Sequence, residues 1–261
     1  MTHVRDSGPT QSPVSPAETG APSPARQPVT PIVALDVPDA TRARAIVAQL
    51  GDACDFYKVG LQLFSAEGPA IVSWLRDAGK QVFVDLKLHD IPNTVRHAAQ
   101  SVARHGASLL TVHASEGTAM IRAAVHGAQE ASGGACGILA VTILTSLEAA
   151  DVETAWAREQ VVIRDEVVRL AGFAHEASAA GVVCSGHEAV AVRDAYGQAL
   201  GVLVPGIRLP GGDVHDQQRI MTPAEAGRAG ARWVVIGRAV TGAADPPQAM
   251  VAVHSALAEV T

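Results

Sequence analysis

The chain has 261 residues, 48% of them apolar and 18% charged, a size near the upper limit of a single hydrophobic core and a composition that excludes a wholly disordered chain. A net charge of −6, with only four Phe, three Trp and two Tyr, argues against a nucleic-acid binder, which needs a basic footprint or stacking platforms. Cys54, Cys136 and Cys184 show no C-x-x-C spacing, which argues against a disulfide framework or structural zinc. No apolar run approaches the ~20 residues of a membrane span, and the N-terminus lacks the apolar segment of a secretory signal. The expectation is a cytoplasmic protein with no membrane contact.

Residues 1–30 hold six of the 15 prolines amid Ser, Thr, Gly and Ala, with no apolar periodicity. Such a segment buries too little to offset its ordering entropy and reads as a disordered leader before a single domain over 31–261. From Pro31 onward, short apolar runs alternate with Ala-rich stretches of helical period. The first four runs are Ile32–Val37, Phe56–Leu61, Val82–Leu88 and Leu109–Ala114, followed by helical stretches at Thr41–Leu50, Ala66–Ala78, Thr94–His105 and Thr118–Ala131. The next four runs are Gly137–Leu144, Gly181–Ser185, Val202–Ile207 and Trp233–Gly237. Their helical stretches are Asp165–Ala180, His187–Ala195, Pro223–Gly230 and Pro246–Val260. Near-continuous apolar strands separated by helices imply parallel pairing with both faces covered, and eight such units predict an α/β fold, a single-domain (β/α)8 TIM barrel. Neither G-x-G-x-x-G after the first strand nor a P-loop signature is present.

Chemistry in such a barrel sits at the C-terminal strand ends. Asp36, Lys58, Asp85, Lys87, Asp90, His113, Arg208 and Arg238 all fall toward that end. The chain has only three lysines, Lys58, Lys80 and Lys87, so a Lys placed in an apolar strand is a candidate for point-charge or proton chemistry that guanidinium does not supply. Asp85 and Lys87 are two apart on a strand and share a face, the barrel interior, while Val84, Leu86 and Leu88 face the helices. Buried charges cost several kcal/mol each unless paired. One reading is a structural ion-pair network, with Asp90 satisfying N–H groups at a helix start; the other is an active site. Gly206-Ile207-Arg208 and Gly237-Arg238 follow strands seven and eight, the usual phosphate site of this architecture, although both arginines read alternatively as solvated rim charges. The Gly-rich segment Leu209–His215 suits a mobile lid.

Phe83-Val84-Asp85-Leu86-Lys87-Leu88-His89-Asp90-Ile91-Pro92-Asn93-Thr94-Val95 resembles the signature of the orotidine 5′-phosphate decarboxylase family. Ala34-Leu35-Asp36, Tyr57-Lys58-Val59-Gly60, Val141–Ser146, Pro205–Arg208, Asp216–Pro223 and Ile236-Gly237-Arg238 match it in the same order. The resemblance implies decarboxylation of orotidine 5′-phosphate to UMP and CO2, the last step of de novo pyrimidine synthesis, with no cofactor. It implies a catalytic tetrad of Lys58, Asp85, Lys87 and Asp90, with Lys87 delivering the proton and Asp85 beside the departing carboxylate. It also implies a homodimer in which Asp90 reaches the partner's site. Asp36 with Lys58, and Asp90 with Thr94, would hold the ribose hydroxyls; Thr145 would read the pyrimidine edge; Pro205 would be among the substrate-binding residues; Arg208, Gln217, Gly237 and Arg238 would grip the phosphate. Losing CO2 leaves a C6 carbanion without a conjugated sink, so a preorganised field of fixed charges is the chemistry required.

Two other readings compete. Metal-dependent relatives, 3-keto-gulonate-6-phosphate decarboxylase and hexulose-phosphate synthase, share the Asp-x-Lys-x-x-Asp strand but carry a Glu ligand where this chain has Lys58. A silent barrel that senses a phosphorylated nucleotide is the second, and every tetrad position being filled speaks against it. The ten histidines, His89, His97, His105 and His113 among them, lack paired ligand spacing, so no metal site is expected. Gln62 departs from the Glu common in the family.

Overall fold

We describe residues 28–209 and 221–260 of a computed structural model. Eight parallel strands close into one barrel in sequence order, β1 Thr30–Ala34, β2 Phe56–Gly60, β3 Gln81–Leu88, β4 Leu109–His113, β5 Gly137–Val141, β6 Gly181–Val183, β7 Gly201–Val204 and β8 Trp233–Ile236. The helices are α1 Ala40–Leu50, α2 Leu61–Glu67, α3 Ala70–Asp77, α4 Pro92–Arg104, α5 Thr118–Ser132 and α6 Ala149–Trp156. They continue with α7 Ile163–Glu176, α8 Gly186–Tyr196, α9 Pro223–Arg228, α10 Arg238–Thr241 and α11 Pro246–Ala258. The expected (β/α)8 barrel is the observed one. Among the described residues no helix is long and apolar enough to cross a membrane.

Helix starts follow local chemistry. Asp39 caps α1 by accepting from the Arg42 N–H, and Asp245 caps α11 by accepting from the Gln248 N–H. Thr222 and Glu225 form a reciprocal capping box on α9 with Pro223 in its first turn, where a missing N–H costs nothing. Each long helix then turns an apolar stripe inward; on α4 the stripe is Val95, Ala99, Val102 and Ala103, all buried.

Differences from the sequence expectation fall where local signals were weak. The single helix expected over Ala66–Ala78 is two, α2 beginning directly after β2 and breaking at Gly68-Pro69, where Gly68 has φ +64° and Pro69 removes a donor. Helix α6 was not expected, because it buries only Val152 and so carries no apolar stripe. The run over Gly137–Leu144 ends as a strand at Val141 and continues as loop. Strand β1 opens at Thr30, one residue before the expected domain start, and residues 1–27 of the expected leader lie outside the described residues.

The barrel interior is layered. Ile32, Ala34, Phe56, Phe83, Leu109, Leu139, Leu203, Trp233 and Val235 fill it from below as one apolar cluster. Register then lifts polar residues above them: Ala34 pairs with Lys58, Lys58 with Phe83, and Gly60 with Asp85. Successive inward positions of β3 are thus Phe83, Asp85 and Lys87, rising toward the C-terminal mouth.

Candidate active site

A row of alternating charge crosses the first three strands at this mouth. Lys58 Nζ lies 2.8 Å from Asp36 Oδ1 and 3.9 Å from Asp85 Oδ2. Lys87 Nζ donates to both Asp85 oxygens, at 2.9 and 3.0 Å. The Lys58 and Asp85 side chains are 10% and 15% exposed, so neither keeps full hydration. At an effective dielectric of 20, a pair 3 Å apart attracts by ~5 kcal/mol, about the desolvation penalty of one such ion. One pair alone would barely break even; alternation lets each inner charge see two opposite neighbours.

The backbone is shaped around this row. A Cβ added at Gly60 would lie 2.8 Å from Lys58 Nζ and 3.1 Å from Asp36 Oδ1, so a side chain there would displace the Lys58 ammonium from its present position. Between the register pairs Val84–Leu110 and Leu88–Val112, β3 fits three residues opposite one of β4. Within this bulge Lys87 has φ +50°, a left-handed conformation uncommon outside glycine. The facing residue is Thr111, wholly buried; its hydroxyl accepts from the Lys87 N–H at 2.9 Å and donates to Asp85 Oδ1 at 2.9 Å. The sequence reading missed Thr111. Its available signal was a lone hydroxyl at an inward position of an apolar strand.

Farther up β4, His113 stands with its ring centroid 5.2 Å from that of His89, whose Nε2 is 2.9 Å from Glu116. Burial pushes the His113 imidazole below its ordinary value, and the nearby His89 and Lys87 push the same way. The shift favours the neutral imidazole over the charged one.

Across the barrel, Pro205, Gly206 and Arg208 follow β7, while Gly237 and Arg238 follow β8. Arg208 is buried, its Nη1 donating to Ile207 O at 3.0 Å, and its backbone N–H donates to Met221 O at 2.9 Å. That second bond ties the loop after β7 to the chain leading into α9. Arg238, expected in a loop, opens the four-residue α10 and is exposed.

A cavity of about 580 Å³ joins both sides. Asp36, Lys58, Asp85, Lys87, Thr145, Pro205, Arg208, Gly237 and Arg238 line it, with Phe83, Ile143 and Leu144 adding apolar wall. The volume suits a nucleotide-sized ligand. Asp90 and Thr94 are brought to the rim instead, both exposed; the Asp90 carboxylate accepts from the Ile91 N–H at 2.6 Å and forms no ion pair among the described residues. Within one chain the alternating row is thus Asp36, Lys58, Asp85 and Lys87, with Asp90 outside it. Gln62, at the first turn of α2, is exposed and does not line the cavity. Gln217 and most of the expected lid lie outside the described residues. Among the described residues no three His, Cys, Asp or Glu side chains gather as a metal site.

Such an arrangement can hold an anion at one wall and stabilise, then protonate, a carbanion at the other. Comparison with known proteins agrees with that chemistry. Residues 30–253 match the model of the "Orotidine 5′-phosphate decarboxylase / HUMPS family". The orotidine 5′-phosphate decarboxylase of Anaeromyxobacter dehalogenans is 48% identical over 224 residues, 86% of this chain and 96% of the relative. That of Moorella thermoacetica is 46% identical over 221 residues, 82% of this chain and 86% of the relative. Among solved structures, the orotidine 5′-phosphate decarboxylase of Lactobacillus acidophilus superposes with a TM-score of 0.77 at 35% identity, covering 88% of this chain and 99% of that one. With the family model spanning all eight strands and relatives near half identity, the chain belongs to the orotidine 5′-phosphate decarboxylase / HUMPS family.

Proposed function

We propose that the charge row and the two arginine loops carry out decarboxylation of orotidine 5′-phosphate to UMP and CO2 in this chain, a carboxy-lyase of pyrimidine biosynthesis. The observation that carries the assignment is the clasp of Lys87 on both Asp85 oxygens, at one wall of a cavity that has Arg208 and Arg238 on its far side.

The phosphate sits against Arg208, Gly237 and Arg238. Thr145 and Pro205 flank the pyrimidine, and Asp36 with Lys58 takes the ribose hydroxyls. The substrate carboxylate then meets Asp85, and C6 meets Lys87. As the C6–carboxylate bond breaks, its electron pair stays on C6 and neutral CO2 leaves. The Lys87 ammonium stabilises that pair and gives C6 a proton, leaving an amine that regains its proton from solvent. Contacts to the distant phosphate help hold these charges in place.

Asp90 completes the tetrad from a second copy of the chain, so the active unit is a homodimer. Its exposure and its lack of an ion pair among the described residues support this. Three free, buried thiols support a reducing, cytoplasmic setting. The Lys58 ammonium, 2.8 Å from Asp36, puts positive charge where a divalent cation would need carboxylates, which favours this reading over the metal-dependent sugar-phosphate branch.

The test follows orotidylate absorbance with purified protein in excess chelator. Turnover unchanged by chelator is the expected result; turnover abolished by it would transfer the chain to the metal-dependent branch. Mixing Lys87→Ala with Asp90→Ala protein should restore activity, since one hybrid site keeps both residues. No recovery despite demonstrated subunit exchange would rule out the shared site.

A further inference from the structure

We propose that Thr111 is a positioning residue of the decarboxylation: its buried hydroxyl holds the left-handed turn that lays the Lys87 ammonium on the Asp85 carboxylate. The inference rests on Lys87 acting as the proton donor.

Asp85, Leu86 and Lys87 occupy a stretch of β3 where the partner strand supplies one residue, Thr111. Extra residues leave ladder groups without their regular partners. Here the Lys87 N–H is met by Thr111 Oγ1 at 2.9 Å rather than by a strand carbonyl. A threonine hydroxyl has one proton to give and lone pairs to receive. The lone pair takes the Lys87 N–H, and the proton goes to Asp85 Oδ1 at 2.9 Å. One side chain therefore fixes the backbone at Lys87 and the carboxylate at Asp85. A lysine at φ +50° persists only where its surroundings impose that conformation. Thr111 is fully buried and does not line the cavity, so it acts through these two residues and not on the ligand.

Alternative rotamers would otherwise separate Lys87 from Asp85 and from the carbon it serves. Displacements of an ångström at a reacting centre cost large factors in rate. Removing the hydroxyl should therefore lower kcat while leaving the phosphate grip, and hence ligand affinity, nearly intact.

The experiment compares Thr111→Val, Thr111→Ser and the parent for kcat, KM, UMP affinity and Tm. Valine keeps the shape and loses both hydrogen bonds; kcat should fall roughly 10- to 100-fold with KM and UMP affinity within about threefold. Serine restores the hydroxyl and should return kcat to within about fivefold of the parent. Parental kcat in Thr111→Val, or an equal fall in Val and Ser, would overturn the proposal. Should the valine protein not fold, Thr111→Cys replaces it: a thiol is a poor donor and acceptor, so its kcat should lie well below that of Ser, and equality would overturn the proposal. Lys87→Ala run alongside separates the two levels. Near-parental turnover there overturns the proton-donor reading itself, whatever Thr111 does.

Discussion

The lower and upper halves of the barrel interior are built on the same strands with opposite rules. Below, Phe83, Leu109 and Leu139 fill the space with side chains that need only shape and burial. Two residues higher, β3 and β4 place Asp85 and Thr111, and β2 places Lys58 above Phe56. Every polar atom there needs a specific partner. The lower half takes its stability from area removed from water, about 25 cal/mol per Å². The upper half gains little net stability from its ion pairs, because attraction and desolvation nearly cancel. What it gains is a fixed field, held up by the packed layer underneath. Substitutions in the two halves should accordingly separate activity from stability.

The sharpest break is at Lys87. Lys87→Ala should lower kcat at least ~10⁴-fold, since it removes both the proton donor and the nearest positive charge, while UMP still binds through the phosphate loops. The Tm should hold, because Asp85 keeps Lys58 and Thr111 as partners. Activity within tenfold of the parent would mean that another group supplies the proton. Next comes Arg238→Ala at the phosphate wall. It should reduce kcat/KM about 10³-fold with most of the change in KM, measured by initial rates across substrate concentration.

Leu139→Ala tests the lower half in reverse. Leu139 is fully buried in the inner apolar cluster, and truncation should cost about 3 kcal/mol in urea unfolding with kcat of the folded protein within about threefold. A large loss of kcat at unchanged stability would show that the layers are not separable. Outside the barrel, Glu166 on α7 supplies a contrasting charge. Its side chain is 5% exposed and pairs with Arg158 and Arg169. Arg169 foremost, with Arg158, holds its carboxyl below the usual value, against burial. Both arginines are 47% exposed, so Glu166→Gln should cost about 2 kcal/mol, less than a fully buried pair. A lowered carboxyl contributes stability above its ordinary pKa and loses it as pH falls, so the gap between parent and variant should close in acid while kcat at pH 7 is unchanged.

Much of this division is legible in the sequence alone. Eight apolar runs separated by helical stretches gave the barrel, because burial on both faces leaves a near-continuous pattern. The Asp85-x-Lys87 spacing gave the inward face, and loops after strands seven and eight gave the arginines. What stayed hidden depends on register. Sequence spacing does not show that β3 outruns β4 by two residues, nor that Lys87 is left-handed as a result, so Thr111 looked like any strand threonine. Spacing alone showed Asp90 only as a charge; that it stands away from its own chain's row was implied by the family resemblance.

The smallest expected effect is at His113, where the polar layer meets the outer rim. Its imidazole is held below its ordinary value by burial, then by His89 and Lys87, with Asp85 opposing. In the unfolded chain this histidine takes a proton near pH 6.5, before the folded one does. Over that window His113 binds more protons in the unfolded state, so its contribution to stability rises with pH up to about 6.5 and is flat above it. Acidification from pH 7.5 to 5.5 should lower the unfolding free energy of the parent, and His113→Gln should lower it less. Equal losses would mean that His113 carries no such strain. The direction fits the site: a second cation beside Lys87 would compete for Asp85, and a neutral imidazole leaves that carboxylate to the two lysines.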